Sequence, residues 1–238
     1  AYKNRLASSF IGSQTLINGL ITTKSTLKLS DSKAIAQLVQ EYEAIAVPVN
    51  SKYQTLEQLT NDLKNNPKAV TFIGGAAGGV DHIFMAKIFN SMNVDPNQAN
   101  YLPQNSGFDV ITKSLTDKSY VGLSTSGDFV AQVTAGKMRI LGVASPEKLA
   151  WSKAKTLQQQ GVNVVYGNWY GIFVPPQFSD TDTSNFIHLL DVFHNSHIWL
   201  KTLADNYWSE GYVGQKDFVA QIEVQTAETK AILQQLGF

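Results

Sequence analysis

One stretch of the sequence has the residue types and the order of an anion-binding turn. Residues 74–79 read Gly-Gly-Ala-Ala-Gly-Gly and stand between an apolar run at residues 70–73 and a helical pattern that starts at Val80. A strand, a turn of small residues and a helix direct several free backbone N–H groups towards one point, at the positive end of the helix dipole. Such a point binds a carboxylate or a phosphate. We predict a ligand site here; the alternative is a tight turn in which glycine only satisfies backbone geometry.

The same turn approximates the fingerprint of dinucleotide-binding folds. Gly74, Ala76 and Gly79 match G-x-G-x-x-G, but that fingerprint also needs an acidic residue at the end of the next strand to hold the ribose. The next predicted strand and its end, residues 100–104, contain no acid. A Walker loop is excluded because no Gly-Lys-Ser/Thr follows the glycines. A nucleotide-cofactor enzyme that uses the Gly74–Gly79 turn stays the alternative function.

Two other turns carry small polar side chains at predicted strand ends. Ser13 and Gln14 follow one apolar run, and Ser124 and Ser126 follow the run at residues 120–123. Ligands of open α/β sheets bind beyond the carboxyl ends of the strands, so these turns are candidates for the same site. The alternative is that each hydroxyl caps a helix.

Two larger side chains are further candidates for ligand contact. His82 opens the helix after the glycine turn, where it contacts a ligand or packs against the turn. Trp169 stands where the chain is expected to return to its first lobe, and it forms either a wall of a ligand cleft or a buried junction. The sequence leaves both alternatives open.

The groups that catalysis would need are missing. Residues 122–127 miss the G-x-S-x-G pattern of a nucleophile elbow because Ser126 occupies the second glycine position. His188, His194 and His197 lie close in sequence, but no H-E-x-x-H occurs and no carboxylate completes a metal-ligand spacing. We therefore predict a binding protein rather than an enzyme, with no metal and no cofactor.

The composition excludes several classes of protein. With 238 residues, 43% of them hydrophobic, the chain can bury a substantial core. Nineteen basic residues balance nineteen acidic ones, which argues against a nucleic-acid or anionic-membrane partner. The absence of cysteine excludes disulfides and thiol catalysis. The sequence contains no run of about 18 apolar residues, so no membrane span is predicted. The first residues do not have the pattern of a signal peptide.

Short β-rich runs alternate with amphipathic helical patterns, which is typical of an α/β protein with mostly parallel sheets. Residues 44–144 contain a regular block of five strands and four helices. Strands are predicted before this block at residues 6–11 and 34–39, and after it at residues 169–174. Within the block, strands are predicted at 44–48, 70–73, 100–102, 120–123 and 139–144, and helices at 56–63, 108–115 and 128–134. A further helix follows the glycine turn and carries Ile83, Phe84, Ile88 and Met92 at helical spacing. Late helices are predicted at 180–194, 197–206 and 215–236.

This order predicts two lobes. The late helices have no full sheet of their own, so residues 1–42 and 168–238 are assigned together to lobe 1, and residues 43–167 to lobe 2. A chain that crosses twice between two α/β lobes forms a hinge and a cleft, which is a usual place for a small ligand.

Several segments carry a resemblance to a known family, in order and over nearly the whole chain. They are Ile35–Leu38, Tyr53–Leu59, Gly74–His82, Ala135–Val143, Thr156–Val162, Asn168–Pro176 and Phe218–Phe238. With these segments the chain resembles the periplasmic substrate-binding receptors of tripartite tricarboxylate transporters, the Bug receptors.

The resemblance implies a two-lobed periplasmic binding protein, type II-like, with the ligand cleft between the lobes. Such a receptor captures a small carboxylate, either a di- or tricarboxylate or an acidic amino acid, and delivers it to the subunits of a membrane transporter. It also implies a periplasmic monomer without a cofactor or direct membrane insertion, whose signal peptide is not in the given sequence. The ligand-binding residues that it implies are Ser13 and Gln14 from one lobe and Ala77, Gly78, Gly79 and His82 from the other, with Ser124, Ser126 and Trp169 as further candidates.

The sequence departs from the family pattern in two places. Family members usually have two further strand–helix units before the strand predicted at residues 6–11, roughly 60 residues in all. Lobe 1 is therefore expected to lack its N-terminal part. Residues 116–120 replace the usual double-glycine turn, so the family pattern predicts the positions of Ser124 and Ser126 less directly.

Overall fold

The computed structural model describes residues 9–238, and these fall into two compact units. The first unit contains residues 9–40 and 169–230, and the second contains residues 41–168 and 231–238. The chain passes from the first unit to the second after Gln40 and returns at Trp169, and residues 231–238 are part of the second unit.

Strands and helices alternate along the chain. In chain order they are β1 (Phe10–Ser13), α1 (Gln14–Thr22), β2 (Lys33–Pro48), α2 (Leu56–Asn65), β3 (Thr71–Gly74), α3 (Val80–Ser91), β4 (Asn100–Pro103), α4 (Gly107–Ser114), β5 (Tyr120–Thr125), α5 (Val130–Thr134), β6 (Met138–Val143), β7 (Gly167–Val174), α6 (Asp180–Phe193), α7 (His197–Asp205), β8 (Ser209–Gly214) and α8 (Gln215–Gln235). None of the helices between residues 9 and 238 is long and apolar enough to cross a membrane.

The sheet of the second unit is built around the second half of β2. Its strand order is β6-β2-β5-β3-β4; β2 is antiparallel to β5 and β6, whereas β3 is parallel to β5 and β4. Phe72, Phe84 and Phe89 are fully buried in the core between this sheet and its helices. Because β3 and β5 are parallel neighbours, their carboxyl ends lie at the same edge, where ligand sites of α/β sheets form.

The sheet of the first unit has the order β1-β7-β2-β8, with β1 antiparallel to β7 and β8 antiparallel to the first half of β2. Trp169, Phe173 and Phe218 pack on this sheet, with ring centroids between 5.1 and 6.4 Å apart. Gly12 and Gly171 face each other across β1 and β7. A Cβ at Gly12 would collide with the Phe173 ring, and one at Gly171 with the Phe218 ring, so these glycines let the rings lie directly on the sheet.

The predicted α/β fold class is confirmed, but the sheets are mixed and not mostly parallel. The prediction of two separate strands at residues 34–39 and 44–48 is wrong, because β2 is one strand of 16 residues. The segment Glu41-Tyr42-Glu43 interrupts the apolar pattern, yet it continues the strand, and Glu43 is buried. The second half of β2 then enters its sheet antiparallel to both neighbours.

The sequence does not predict two of the elements. The first is helix α1, which buries the polar residues Gln14 and Asn18 together with Ile17. Strand β8, Ser-Glu-Gly-Tyr-Val-Gly, has no alternation of buried and exposed positions. Part of the strand predicted at residues 6–11 lies outside the described residues, and from Phe10 onwards it is β1.

Because Phe218 packs directly against Gly171, we expect a methyl group added at this glycine to destabilise the fold. Gly171→Ala forces the ring from the sheet, and such overpacking costs about 1–3 kcal/mol of the free energy of unfolding. Urea unfolding followed by tryptophan fluorescence measures the loss. Gly19→Ala is the control, because a Cβ at this helical position meets no atom within 4 Å, and we expect it to be neutral or stabilising. Equal midpoints for Gly171→Ala and the parent protein would contradict the packing argument.

Candidate ligand site

The glycine turn of the second unit connects the end of β3 to the start of α3. Its N–H groups are partly used within the turn: Gly75 donates to Asp81 Oδ2 at 2.6 Å, Gly78 to His82 Nδ1 at 3.0 Å, and Gly79 to the Ala76 carbonyl at 2.8 Å. Gly78 has a φ of +77°, in the left-handed region that favours glycine. These three bonds leave out the N–H groups of Ala76 and Ala77, and both of these residues are exposed.

His82 is a half-buried part of the same turn. Its ring stacks on Tyr101 at a centroid distance of 4.2 Å, and the Tyr101 hydroxyl donates to the Gly75 carbonyl at 2.8 Å. Burial lowers the pKa of His82 to about 4, so the ring is neutral at pH 7. Because Nδ1 accepts the Gly78 N–H, the proton lies on Nε2. His82 therefore braces the turn and keeps one ring N–H as a donor.

Two carboxyl groups lie behind the turn. Glu43 on β2 is fully buried, and Asp81 is in the first turn of α3. Burial raises the pKa of Glu43 well above its usual range, and the charges of Asp81 and Asp128 raise it further. Burial also raises the pKa of Asp81, but the Gly75 N–H and a hydrogen bond with Glu43 oppose this shift. Ionised Asp81 beside neutral Glu43 is the arrangement that these partners favour.

The serine turn follows β5 at the same edge of the sheet. Ser124 is buried, and its Oγ donates to Asp128 Oδ2 at 2.5 Å. Ser126 is also buried, and its N–H donates to the Tyr42 carbonyl at 2.8 Å. A Cβ at Gly107, the first residue of α4, would collide with the Asp128 carboxylate, so the start of α4 packs against this turn. The Ser124 hydroxyl is thus engaged by the protein itself.

The first-unit candidates lie in a buried polar network. Gln14 is 1% exposed; its amide nitrogen donates to Asn18 at 2.8 Å and to Thr229 at 2.9 Å, and its carbonyl accepts the Trp169 Nε1–H at 3.2 Å. Trp169 Nε1 also donates to Gln225 at 2.5 Å. These contacts hold α1, β7 and α8 together.

Ser13 is the N-cap of α1, where its Oγ accepts the Leu16 N–H at 3.2 Å. It therefore has the capping role that the sequence leaves open as the alternative. The polar atoms of Ser13, Gln14 and Trp169 all have partners inside the first unit. Ligand contact by these three residues stays a prediction.

The structure assembles the glycine turn with side chains that sequence reasoning misses. Tyr101 lies on β4, the next strand after the turn, and nothing in the sequence of that strand indicates that its hydroxyl reaches the turn. Asp81 and Glu43 are 38 positions apart, so their meeting depends on β2 and β3 sharing one sheet. The available signal is an acid next to an apolar run in each segment: Glu43 directly precedes residues 44–47, and Asp81 stands near the apolar start of α3. Between residues 9 and 238, no group of three His, Cys, Asp or Glu side chains could hold a metal ion.

Comparisons with known proteins give the chain a context. Solved structures with the same fold include a TctC solute-binding protein from Polaromonas, at 17% identity and a TM-score of 0.79, which covers 95% of this chain and 77% of its own. Rpa4515 of R. palustris, solved with adipate, has 14% identity and a TM-score of 0.79 over 96% of this chain and 77% of its own. MatC of Rhodopseudomonas palustris, solved with bound malate, has 11% identity and a TM-score of 0.70 over 94% and 78%.

Sequence comparison adds the family. No curated protein matches the chain. The model of the tripartite tricarboxylate transporter family receptors, TctC, matches residues 21–238, which is most of the sequence. This is a family of substrate-binding receptors and not of enzymes. With its two α/β units and the glycine turn at the end of β3, the chain belongs to the tripartite tricarboxylate transporter receptor family.

Proposed function

We propose that this protein is a periplasmic receptor that captures a small carboxylate and delivers it to a tripartite tricarboxylate-type membrane transporter. The ligand is a di- or tricarboxylate or an acidic amino acid, held as a monomeric receptor closes its two lobes. The observation that carries the proposal is the turn before α3: Ala76 and Ala77 are exposed, the three hydrogen bonds of the turn leave out their N–H groups, and a helix begins directly after the turn.

The chemistry of the turn supports a single carboxylate group at this position. Hydrogen bonds from backbone N–H groups to a charged acceptor contribute about 1.5–3 kcal/mol each. Ala77 supplies such a donor, and Gly78 and Gly79 shape the turn around it. His82 adds its Nε2–H as a neutral donor. The malate and adipate that accompany two of the structural neighbours belong to the same class of ligand.

The second lobe of the proposal is residues 43–167, and the first is residues 1–42 with 168–238. From the first lobe we propose contact by the Ser13 and Gln14 turn, with Trp169 beneath it. Ser124 and Ser126 are proposed as the contribution of the β5 turn. Titration of the protein with malate, adipate and citrate by calorimetry tests the function. A folded protein that binds none of the panel, nor glutamate or aspartate, would overturn it.

A nucleotide cofactor at the same turn is the alternative, and the geometry disfavours it. Strand β4 lies next to β3 and ends without an acid for the ribose. The Asp81 carboxylate already uses the Gly75 N–H, and its negative charge opposes a pyrophosphate. A parallel titration with NAD and NADP separates the two functions, since only the enzyme would bind them.

The geometry of the turn predicts that two glycine substitutions with similar backbone strain differ in their effect on ligand affinity. Gly78 and Gly136 have φ values of +77° and +67°, so valine is strained at both. Gly78→Val distorts the turn, and we expect its affinity for the bound carboxylate to fall at least tenfold, about 1.4 kcal/mol. Gly136→Val lies between α5 and β6, away from the turn, and leaves the affinity unchanged. Calorimetry measures both; equal affinities of the two variants would show that the turn is not the site.

The tautomer of His82 can be observed directly. We expect ring ¹⁵N chemical shifts to show the Nε2–H tautomer at pH 7 and a titration midpoint below pH 5, with His82→Gln identifying the signals. The folded-state pKa is below the ordinary 6.5, so the unfolded chain binds more protons between about pH 4 and 6.5. This residue therefore lowers the free energy of unfolding as the pH falls through that range. A midpoint near 6.5 would disprove the buried, neutral ring.

A further inference from the structure

The acid pair behind the glycine turn has a feature that ligand contact does not explain. Glu43 is 0% exposed, and among residues 9–238 no donor group reaches either of its carboxyl oxygens. A buried carboxylate without a donor is strongly destabilised, whereas a protonated carboxyl can itself donate. Protonation of Glu43, with its O–H donated to the Asp81 carboxylate, removes this cost, and burial raises the pKa of Glu43 in the same direction. Asp81 keeps the charge because it receives the Gly75 N–H.

Asp81 connects this pair to the shape of the turn. Its Oδ2 accepts the Gly75 N–H at 2.6 Å, and the Gly75 carbonyl accepts the Tyr101 hydroxyl at 2.8 Å. Gly74 has no free space either, because a Cβ there would collide with the Tyr101 hydroxyl and lie 2.9 Å from Asp81 Cβ. The position of Asp81 thus fixes the first residues of the turn and, through them, the direction of the Ala77 N–H.

The charged neighbours of Glu43 are all acidic. Asp81 faces it from α3, Asp128 from the turn after β5, and Glu41 from its own strand. Burial, and after it the charge of Asp81, raise the pKa of the Tyr101 hydroxyl on β4, so this group is neutral, and His82 is neutral. With one proton, the pair carries a single negative charge. Loss of that proton places a second charge, unscreened by solvent, behind a site that binds an anion.

We propose that Glu43 is a positioning residue that, together with Asp81, holds one proton whose loss weakens carboxylate binding at the glycine turn. This inference rests on the proposed carboxylate-binding function. A bound carboxylate makes loss of the proton harder, so by linkage the ligand binds more tightly to the protonated pair. Affinity therefore falls as the pH rises through the range in which the pair ionises.

Calorimetry with the bound carboxylate of the panel, for instance adipate, tests the proposal between pH 7.5 and 9, where the ligand and Asp81, whose pKa is raised to about 6, are both ionised. We expect the affinity of the parent protein to fall about threefold to tenfold over this range, with proton uptake on binding. Glu43→Gln keeps a donor for Asp81 but has no titratable proton, and its affinity is expected to be independent of pH. Glu57→Gln, an exposed acid on α2, is the matched control and keeps the parent profile. Equal pH profiles for Glu43→Gln and Glu57→Gln would overturn the proposal.

A second measurement needs no ligand, so it separates the two proposals. The amide proton shift of Gly75 reports its bond to Asp81. We expect a titration step at this amide above pH 7.5, where Asp81 is already ionised, in the parent protein and none in Glu43→Gln. If no carboxylate binds, but the step occurs in the parent protein and not in Glu43→Gln, only the proposed function is disproved. If the step is absent from the parent protein or persists in Glu43→Gln, the shared proton is disproved whether or not a carboxylate binds.

Discussion

The hydrogen bond from the Gly75 N–H to Asp81 is the interaction on which the site of the second unit depends. A helix preceded by a glycine turn attracts any anion, because its first N–H groups are unpaired. Here the helix supplies its own acceptors: Asp81 takes the Gly75 N–H and His82 takes the Gly78 N–H. These bonds brace the turn from within, and the N–H groups of Ala76 and Ala77 are the ones left for the proposed ligand. A carboxylate, which needs few donors, suits this remainder better than a phosphate does.

The first unit uses its polar side chains differently. Gln14 is nearly inaccessible, and a buried amide is stable only when its donor and acceptor are both satisfied. Trp169, Asn18 and Thr229 provide these partners from three elements of the fold. The network thus fixes how α1 and α8 pack on β7. The buried side of α1 is therefore partly polar, because Gln14 and Asn18 are buried there together with Ile17.

The sequence predicts the second unit well, because its pattern is local. Each of α2, α3 and α4 begins within a few residues of the predicted position, and the glycine turn follows β3 as expected. The sequence predicts β2 poorly, because the polar segment Glu41-Tyr42-Glu43 does not resemble the interior of a strand. The burial of Glu43 is explained by its contact with Asp81, which is distant in sequence. The same limit applies to the site. The glycines predict a turn from local sequence, but the carboxyl pair behind the turn depends on a contact between residues far apart in sequence.

This division between local and distant signals bears on ligand selectivity. Backbone N–H groups at a turn are the same whatever the side chains are, so a fold that binds through them constrains the sequence little. Structural neighbours at 11–17% identity still share this fold. Selectivity then has to come from the side chains that set the local charge. In this chain those are Asp128 and the Glu43–Asp81 pair with its single charge, which place negative charge behind the proposed anion site and oppose a ligand group that carries more than one charge there.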